Sequence, residues 1–346
     1  MAAPSFPILF VAPERVEDAI LASGLIRRLS DEMPQARFTV VAGAATAPLF
    51  RDLPGLERRL PFEPEPMGLH WFTLWRQTRN RRWGLVLDMR GSRLARFLSA
   101  RRRGIKKPLN PALGPIHKVV EAARVLRLED DPPSPFLFIS PQTEALAAGL
   151  LRPPPGVAEG PILAIAPAAD WVGKAWPAER FAVTAAELLG PKGPLPTGRL
   201  LLLGGPEDRW ATETVRRSIA RERLVDLIGR ADLLTSYACL KRARLFIGSD
   251  NPFMHLAAAA GAPTLALFGP SDDRIHGPWG AHARALRGPR DFEAFKAIDP
   301  TFSQAMNHMQ DLTTAKVTSA ARRLMAETEP GPDAPDKPET DAETHD

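Results

Sequence analysis

Short apolar runs alternate with stretches of helical period along this chain, and the pattern occurs twice. In the first half, Pro7 to Ala12 reads as a strand, Asp18 to Met33 as a helix, Arg37 to Ala42 as a strand and Leu85 to Met89 as another. Ile20, Leu21, Leu25, Ile26 and Leu29 give the helix one apolar face. The second series has strands at Ile162 to Ala166, Leu200 to Leu203, Leu245 to Gly248 and Thr264 to Phe268. Helices are expected near Ala178 to Leu189, Asp208 to Ala220 and Pro252 to Ala260. Strands that are apolar throughout and separated by helices are buried on both faces, so they form parallel sheets with helical covers. A length of 346 residues suits two such units. Eight prolines between Pro132 and Pro161 mark an interdomain linker. The expected domains are therefore residues 1–155 and 156–328. Two doubly wound halves face each other across a cleft at the carboxyl ends of their sheets, where open α/β sheets bind ligands.

The 44% apolar and 25% charged residues exclude a collagenous, wholly disordered or multi-spanning chain. Met1 to Val11 has no basic run ahead of its apolar residues, so no signal peptide is expected. Leu256 to Phe268 is broken by Gly261 and Pro263 and is too short to span a bilayer. Cys239 is the sole cysteine, which leaves no internal disulfide or cysteine metal cluster and points to a reducing, cytoplasmic setting.

The formal charge of +5 hides two opposed segments. Glu327 to Asp346 holds eight acids against Lys337, with four prolines and little that is apolar, so residues 329–346 are expected to be a disordered acidic tail. Setting that segment aside leaves +12 on the body. Eleven bases between Arg79 and Lys107 face one acid, Asp88. Such a block is either a solvated face or a surface for an anionic partner, a phosphorylated substrate or an acidic membrane. No aromatic platform or finger spacing accompanies it, so nucleic acid is not expected.

Chemistry should sit just after strands. Asp18 follows the first strand and is either a helix N-cap or a carboxylate at the cleft that accepts a proton from a hydroxyl. Lys174 sits behind Gly173 after Ile162 to Ala166, placed as a solvated loop charge or as a point charge for a phosphate. Gly204 and Gly205 end the strand at Leu200, and Glu207 beyond them is first-turn helix charge or a ribose contact. Gly248 to Ala260 is the most informative stretch. Asn251 suits an N-cap, Pro252 the first helical position and the alanines the helix body, so a helix starts at a strand's carboxyl end. Its free amides and dipole suit a pyrophosphate, with His255 one turn in as an anion neighbour or a core hydrogen-bonder.

The ordered blocks Arg15 to Leu25, Leu85 to Ser92, Gly173 to Phe181, Leu202 to Asp208 and Asp250 to Ser271, closing with Gly277-Pro278-Trp279-Gly280, resemble glycosyltransferase family 9. Those are the lipopolysaccharide heptosyltransferases, and the likeness runs over about residues 7–326. It implies a GT-B fold of two Rossmann-like domains, the first binding the acceptor and the second the nucleotide-sugar donor. It also implies inverting, metal-independent transfer of heptose from ADP-heptose to the inner core of a phosphorylated lipid A precursor. No cofactor is implied. Placed by the resemblance, Asp18 is the catalytic base, Lys174 contacts the donor phosphates and Glu207 the nucleoside. Asp250 contacts the transferred sugar, while Asn251, Phe253, Met254 and His255 surround the phosphates. Arg93, Arg96 and Arg101 then belong to the acceptor, at peripheral contact with the cytoplasmic face of an anionic inner membrane. The chain departs from the family pattern at Glu17 and Pro252, where glycine is common. The runners-up are a GT-B transferase or epimerase acting on another nucleotide sugar, and a catalytically silent binding protein of the same fold.

Overall fold

The computed structural model describes residues 5–302 and 306–328. The acidic tail lies outside these residues. Among the described residues eleven strands follow in chain order: β1 (Phe6–Val11), β2 (Ala36–Ala42), β3 (Leu56–Pro61), β4 (Trp83–Asp88), β5 (Ala100–Ile105), β6 (Ile162–Ala166), β7 (Arg199–Leu202), β8 (Leu224–Asp226), β9 (Ala243–Ser249), β10 (Thr264–Phe268) and β11 (Ala283–Arg287). They form two all-parallel sheets, ordered β3-β2-β1-β4-β5 and β11-β10-β9-β6-β7-β8. Each has a point where the strand order reverses, between β1 and β4 and between β6 and β9. At those points Val11 pairs with Asp88 and Ala166 with Gly248, so both crevices open at the strands' carboxyl ends. This is the expected pair of doubly wound α/β domains, arranged as in the GT-B fold.

Three expectations change in detail. The helix expected from Asp18 to Met33 is two helices, Val16–Leu21 and Ser23–Glu32. The break falls where the Ser23 hydroxyl donates to Ile20 O at 2.6 Å and accepts from Phe136 N at 2.9 Å. Gly24 admits that neighbouring segment, since a Cβ there would lie 2.3 Å from Pro133 O. The stretch expected as a helix from Asp208 to Ala220 is a 3-10 turn, Pro206–Arg209, and a short helix, Glu213–Arg217. Between them Thr212 turns its hydroxyl onto the carbonyls of Asp208 and Arg209. The proline-rich linker contains a helix, Pro141–Leu151, capped by Ser140 and packed on the second-domain helix Leu233–Leu240.

The domains share one core. Ile8, Phe10 and Phe38 of the first sheet belong to the same buried cluster as Tyr237, Met254 and Phe268 of the second domain. Polar bonds reinforce the seam. The Arg51 guanidinium pairs with Asp232, Arg242 pairs with Glu144 at 2.6 Å, and Asp52 accepts from Thr143 Oγ1 at 2.6 Å.

Candidate active site

Packing of the helix Val16–Leu21 on the helix Pro252–Ala259 brings the two switch points together. The first helix leaves β1 and carries Asp18; the second leaves β9 and follows Asp250. The N-cap position of the first helix is Arg15, without a side-chain cap, so Asp18 lies inside the first turn and does not cap it. Its carboxylate is half-buried, and among the described residues no hydrogen bond or ion pair engages it. Glu17 beside it pairs with Arg15 at 3.5 Å, which offsets part of the negative charge next to Asp18.

Across the seam, Lys174 sits on the 3-10 turn Val172–Lys174 after β6. Its ammonium lies 3.1 Å from Asp250 Oδ2 and 3.3 Å from Asp170 Oδ1. Burial alone would lower the Lys174 pKa, but the two carboxylates more than offset it and hold the ammonium above its ordinary value. Burial would likewise raise the Asp250 carboxyl, yet the Lys174 charge keeps it below the usual range. The pair is therefore a charged lysine and a charged carboxylate beyond the carboxyl ends of the two strands flanking the second switch point, chemistry suited to a diphosphate and a polyhydroxylated sugar.

Asn251 caps its helix as the residue pattern requires. Its Oδ1 accepts from Phe253 N at 2.9 Å and Met254 N at 3.2 Å, and its Nδ2 donates to the carbonyls of Ala166 and Ala168 at 3.2 and 2.8 Å. This corrects the expectation of free amides at the helix start. Pro252 has no N–H and the next two donors are taken, so an anion there meets the dipole and Lys174 rather than open amides. Phe253 is half-buried, and Met254 is wholly buried in the shared core, which leaves its side chain no surface for a ligand in this conformation. His255 is buried, its Nδ1 finds no hydrogen-bond partner among the described residues, and burial pushes its pKa down to about 4, so the ring is neutral.

Glu207 is exposed on the turn Pro206–Arg209 after β7, its carboxylate folded back over Gly205. Asp208, not Glu207, caps this turn, accepting from Gly205 N at 2.8 Å. Arg93, Arg96 and Arg101 are all exposed but spread out. Arg93 precedes the turn Leu94–Phe97 beyond the carboxyl end of β4, whereas Arg101 is the second residue of the edge strand β5, at the opposite end of the sheet.

Several neighbours escaped the sequence reading. Arg90 donates to Ala12 O at 2.9 Å and to Glu14 at 3.3 Å, tying the end of β4 to the loop that leads to Asp18. The buried Asp88 accepts from Arg90 N and from Ser92 Oγ and fixes that loop. His276 is within electrostatic reach of Asp18 and Lys118 of the first domain and of Asp250 and Lys174 of the second, and burial, the largest cause, lowers its pKa. His117 Nε2 meets Gly277 O at 3.0 Å, and its ring stacks on Trp279, closing the seam from the first domain. Only the Gly277-Pro278-Trp279-Gly280 block hinted at these contacts. Among the described residues no group of three or more His, Cys, Asp or Glu is arranged to hold a metal ion.

The profile of Glycosyltransferase family 9 (heptosyltransferase) matches residues 71–300. Lipopolysaccharide heptosyltransferase 2 of Salmonella typhimurium is 22% identical over 354 aligned positions, covering 92% of this chain and 99% of that protein. The solved ADP-heptose LPS heptosyltransferase II of E. coli superposes with a TM-score of 0.72 at 20% identity, covering 93% of this chain and 99% of the other. A family 9 glycosyltransferase of Veillonella parvula gives a TM-score of 0.76 at 18% identity, over 95% of this chain and 99% of the other. With the family profile spanning most of both domains, the chain belongs to glycosyltransferase family 9, the heptosyltransferases, and is a glycosyltransferase.

Proposed function

We propose that this chain moves a heptose from ADP-heptose to the inner core of a phosphorylated lipopolysaccharide precursor, with inversion and without a metal. The donor choice draws on the ADP-heptose enzyme of like fold and on the lipopolysaccharide heptosyltransferase relative. What supports the reading is an unengaged carboxylate, Asp18, on a helix that packs against the helix following Asp250, the carboxylate paired with Lys174. In the proposed reaction Asp18 takes the proton of the acceptor hydroxyl as its oxygen attacks the anomeric carbon. The bond to the diphosphate breaks on the opposite face, and charge grows on the leaving ADP. Lys174 and the dipole of the Asn251-capped helix meet that charge in place, the role a metal would otherwise fill. Asp250 is within reach of the sugar hydroxyls beside Lys174, and Glu207 is assigned to the nucleoside. Arg93 and Arg96 are assigned to acceptor phosphates, with Arg101 adding charge toward an anionic membrane.

Calorimetric titration of the full chain with ADP, UDP, GDP and CMP tests this reading. ADP is expected to bind most tightly, with turnover unaffected by a chelator. Tightest binding of another nucleotide would redirect the donor assignment, and binding of none would favour a silent member of the fold.

A further inference from the structure

The outer face of the first sheet is covered by a single helix, Leu69–Thr78, and the turn Leu94–Phe97. Their inner side chains, Leu74, Leu94 and Ala95, are buried against Leu9, Val11 and Val86. Several outward side chains on and next to them are apolar as well. Met67 is 99% exposed, Phe97 70%, Phe72 60% and Leu69 55%. Trp75 holds the two pieces together, donating from Nε1 to Phe97 O at 3.3 Å and stacking on Phe72. Between helix and turn runs an open groove of about 810 Å³. Apolar side chains clustered this densely on a water-facing surface mark a place of contact.

Charge identifies the partner. Between Met67 and Lys107 the only acid is Asp88, which is buried. Arg76, Arg79, Arg93 and Arg96 are exposed on the same helix and turn, and none of them forms an ion pair among the described residues. Arg79 lies over the Trp75 ring, 4.7 Å from its centre. Glu63 and Glu65 stand just ahead of the helix, outside the apolar row. Large apolar and aromatic side chains that protrude, separated by unpaired guanidiniums, match an anionic bilayer, with rings at the acyl boundary and charges on the phosphates. Among the described residues no helix is long and apolar enough to cross a membrane, so this contact is with one leaflet.

We propose that Met67, Leu69, Phe72 and Phe97 form a wedge that inserts into the interface of an anionic lipid bilayer, with Arg76 on the headgroups and Arg93 and Arg96 facing the phosphates of a lipid-linked acceptor held among them. This deepens the acceptor reading and rests on it for its purpose. The helix begins on the carboxyl-end side of β3, so Met67, Leu69 and Phe72 stand toward the rim where the Asp18 helix starts, and Phe97 extends the wedge down the covering face. Arg90 lines both the apolar groove and a second cavity of about 630 Å³ that reaches Glu14, just ahead of the Asp18 helix. A lipid-linked acceptor in that leaflet is thereby presented to the cleft.

The test is co-sedimentation of the full chain with phosphatidylcholine vesicles, with and without phosphatidylglycerol. The wild-type chain should sediment with the anionic vesicles. The variant carrying Met67→Ser, Phe72→Ser and Phe97→Ser should bind them more than about tenfold more weakly, at low and high salt alike, with ADP affinity and melting temperature unchanged. A second variant, Met67→Cys, takes an environment-sensitive dye at the wedge tip. The native Cys239 is buried, with its thiol pushed up to about 12, so labelling is selective. The dye should shift to the blue on anionic vesicles. Equal sedimentation of the serine variant, or an unshifted dye on sedimented chain, would overturn the wedge and leave the bases alone as the anchor. Binding of a monomeric short-chain phospholipid with no vesicle association would overturn it in favour of an acyl-chain pocket. Loss of ADP binding by the wild-type chain would instead strike the functional reading and leave the wedge standing.

Discussion

Lys174 is already paired before any donor arrives, so a diphosphate must share or displace the carboxylates of Asp250 and Asp170. Lys174→Ala is expected to weaken ADP binding by about 1.5 to 3 kcal/mol, the scale of a hydrogen bond to a charged group. Titration calorimetry reads this directly, and an unchanged affinity would move the phosphate site elsewhere. His255 makes a separate prediction through pH. Its folded pKa, about 4, lies below the ordinary 6.5 because burial disfavours the charged ring, against the attraction of Asp250. As pH falls from 6.5 to 4 the unfolded chain takes up this proton and the folded chain does not, so folding stability declines across that window. His255→Gln should therefore lose less stability than the wild-type chain between those pH values in urea titrations. A parallel decline in both proteins would show that other groups set the acid limit.

Helix termini and strand edges separate what the residues revealed from what they hid. Asn251, Pro252 and the alanines announced a capped helix at a strand end, and the structure has one. The sequence could not show that the cap's amide nitrogen also grips Ala166 and Ala168, which ties β6 to the helix after β9. Asn251→Ala removes the cap and leaves those carbonyls unpaired, so it is expected to cost about 2 to 3 kcal/mol in a denaturation titration. A loss below about 0.5 kcal/mol would mean that water replaces the side chain. The seven interior strands were legible because both of their faces are apolar. The four that escaped, β3, β5, β8 and β11, are the sheet edges. Arg58, Arg59, Arg101, Arg102 and Arg103 interrupt two of them, and β8 is only three residues long. Short, charged edges discourage pairing with other chains and erase the apolar signal that a reader of the sequence relies on. The basic block thus serves in part as an edge strand. Asp18 and Lys174 were singled out because each follows an interior strand and Asp250 through the family resemblance, whereas Arg90, His117 and His276 gain meaning only from contacts distant in sequence.

At the scale of the whole molecule the two domains are joined by one core, by the Arg51–Asp232 and Arg242–Glu144 pairs and by the helix Pro141–Leu151. Buried apolar surface shared in this way couples the unfolding of the two halves. Differential scanning calorimetry is expected to show one transition whose van't Hoff and calorimetric enthalpies agree; two resolved transitions would mean that the seam opens independently. The same seam packs the Asp18 helix against the helix that follows Asp250, and the central claim is that Asp18 and the Lys174–Asp250 pair act as one site. Its most direct test is mass spectrometry of a heptose-free lipopolysaccharide core precursor incubated with ADP-heptose and either the wild-type chain or Asp18→Asn. The wild-type chain should add one heptose to the lipid and release one ADP. Asp18→Asn should bind ADP as before but turn over roughly two to four orders of magnitude more slowly. A lipid of unchanged mass with the wild-type chain, or near-normal transfer by Asp18→Asn, would contradict the account.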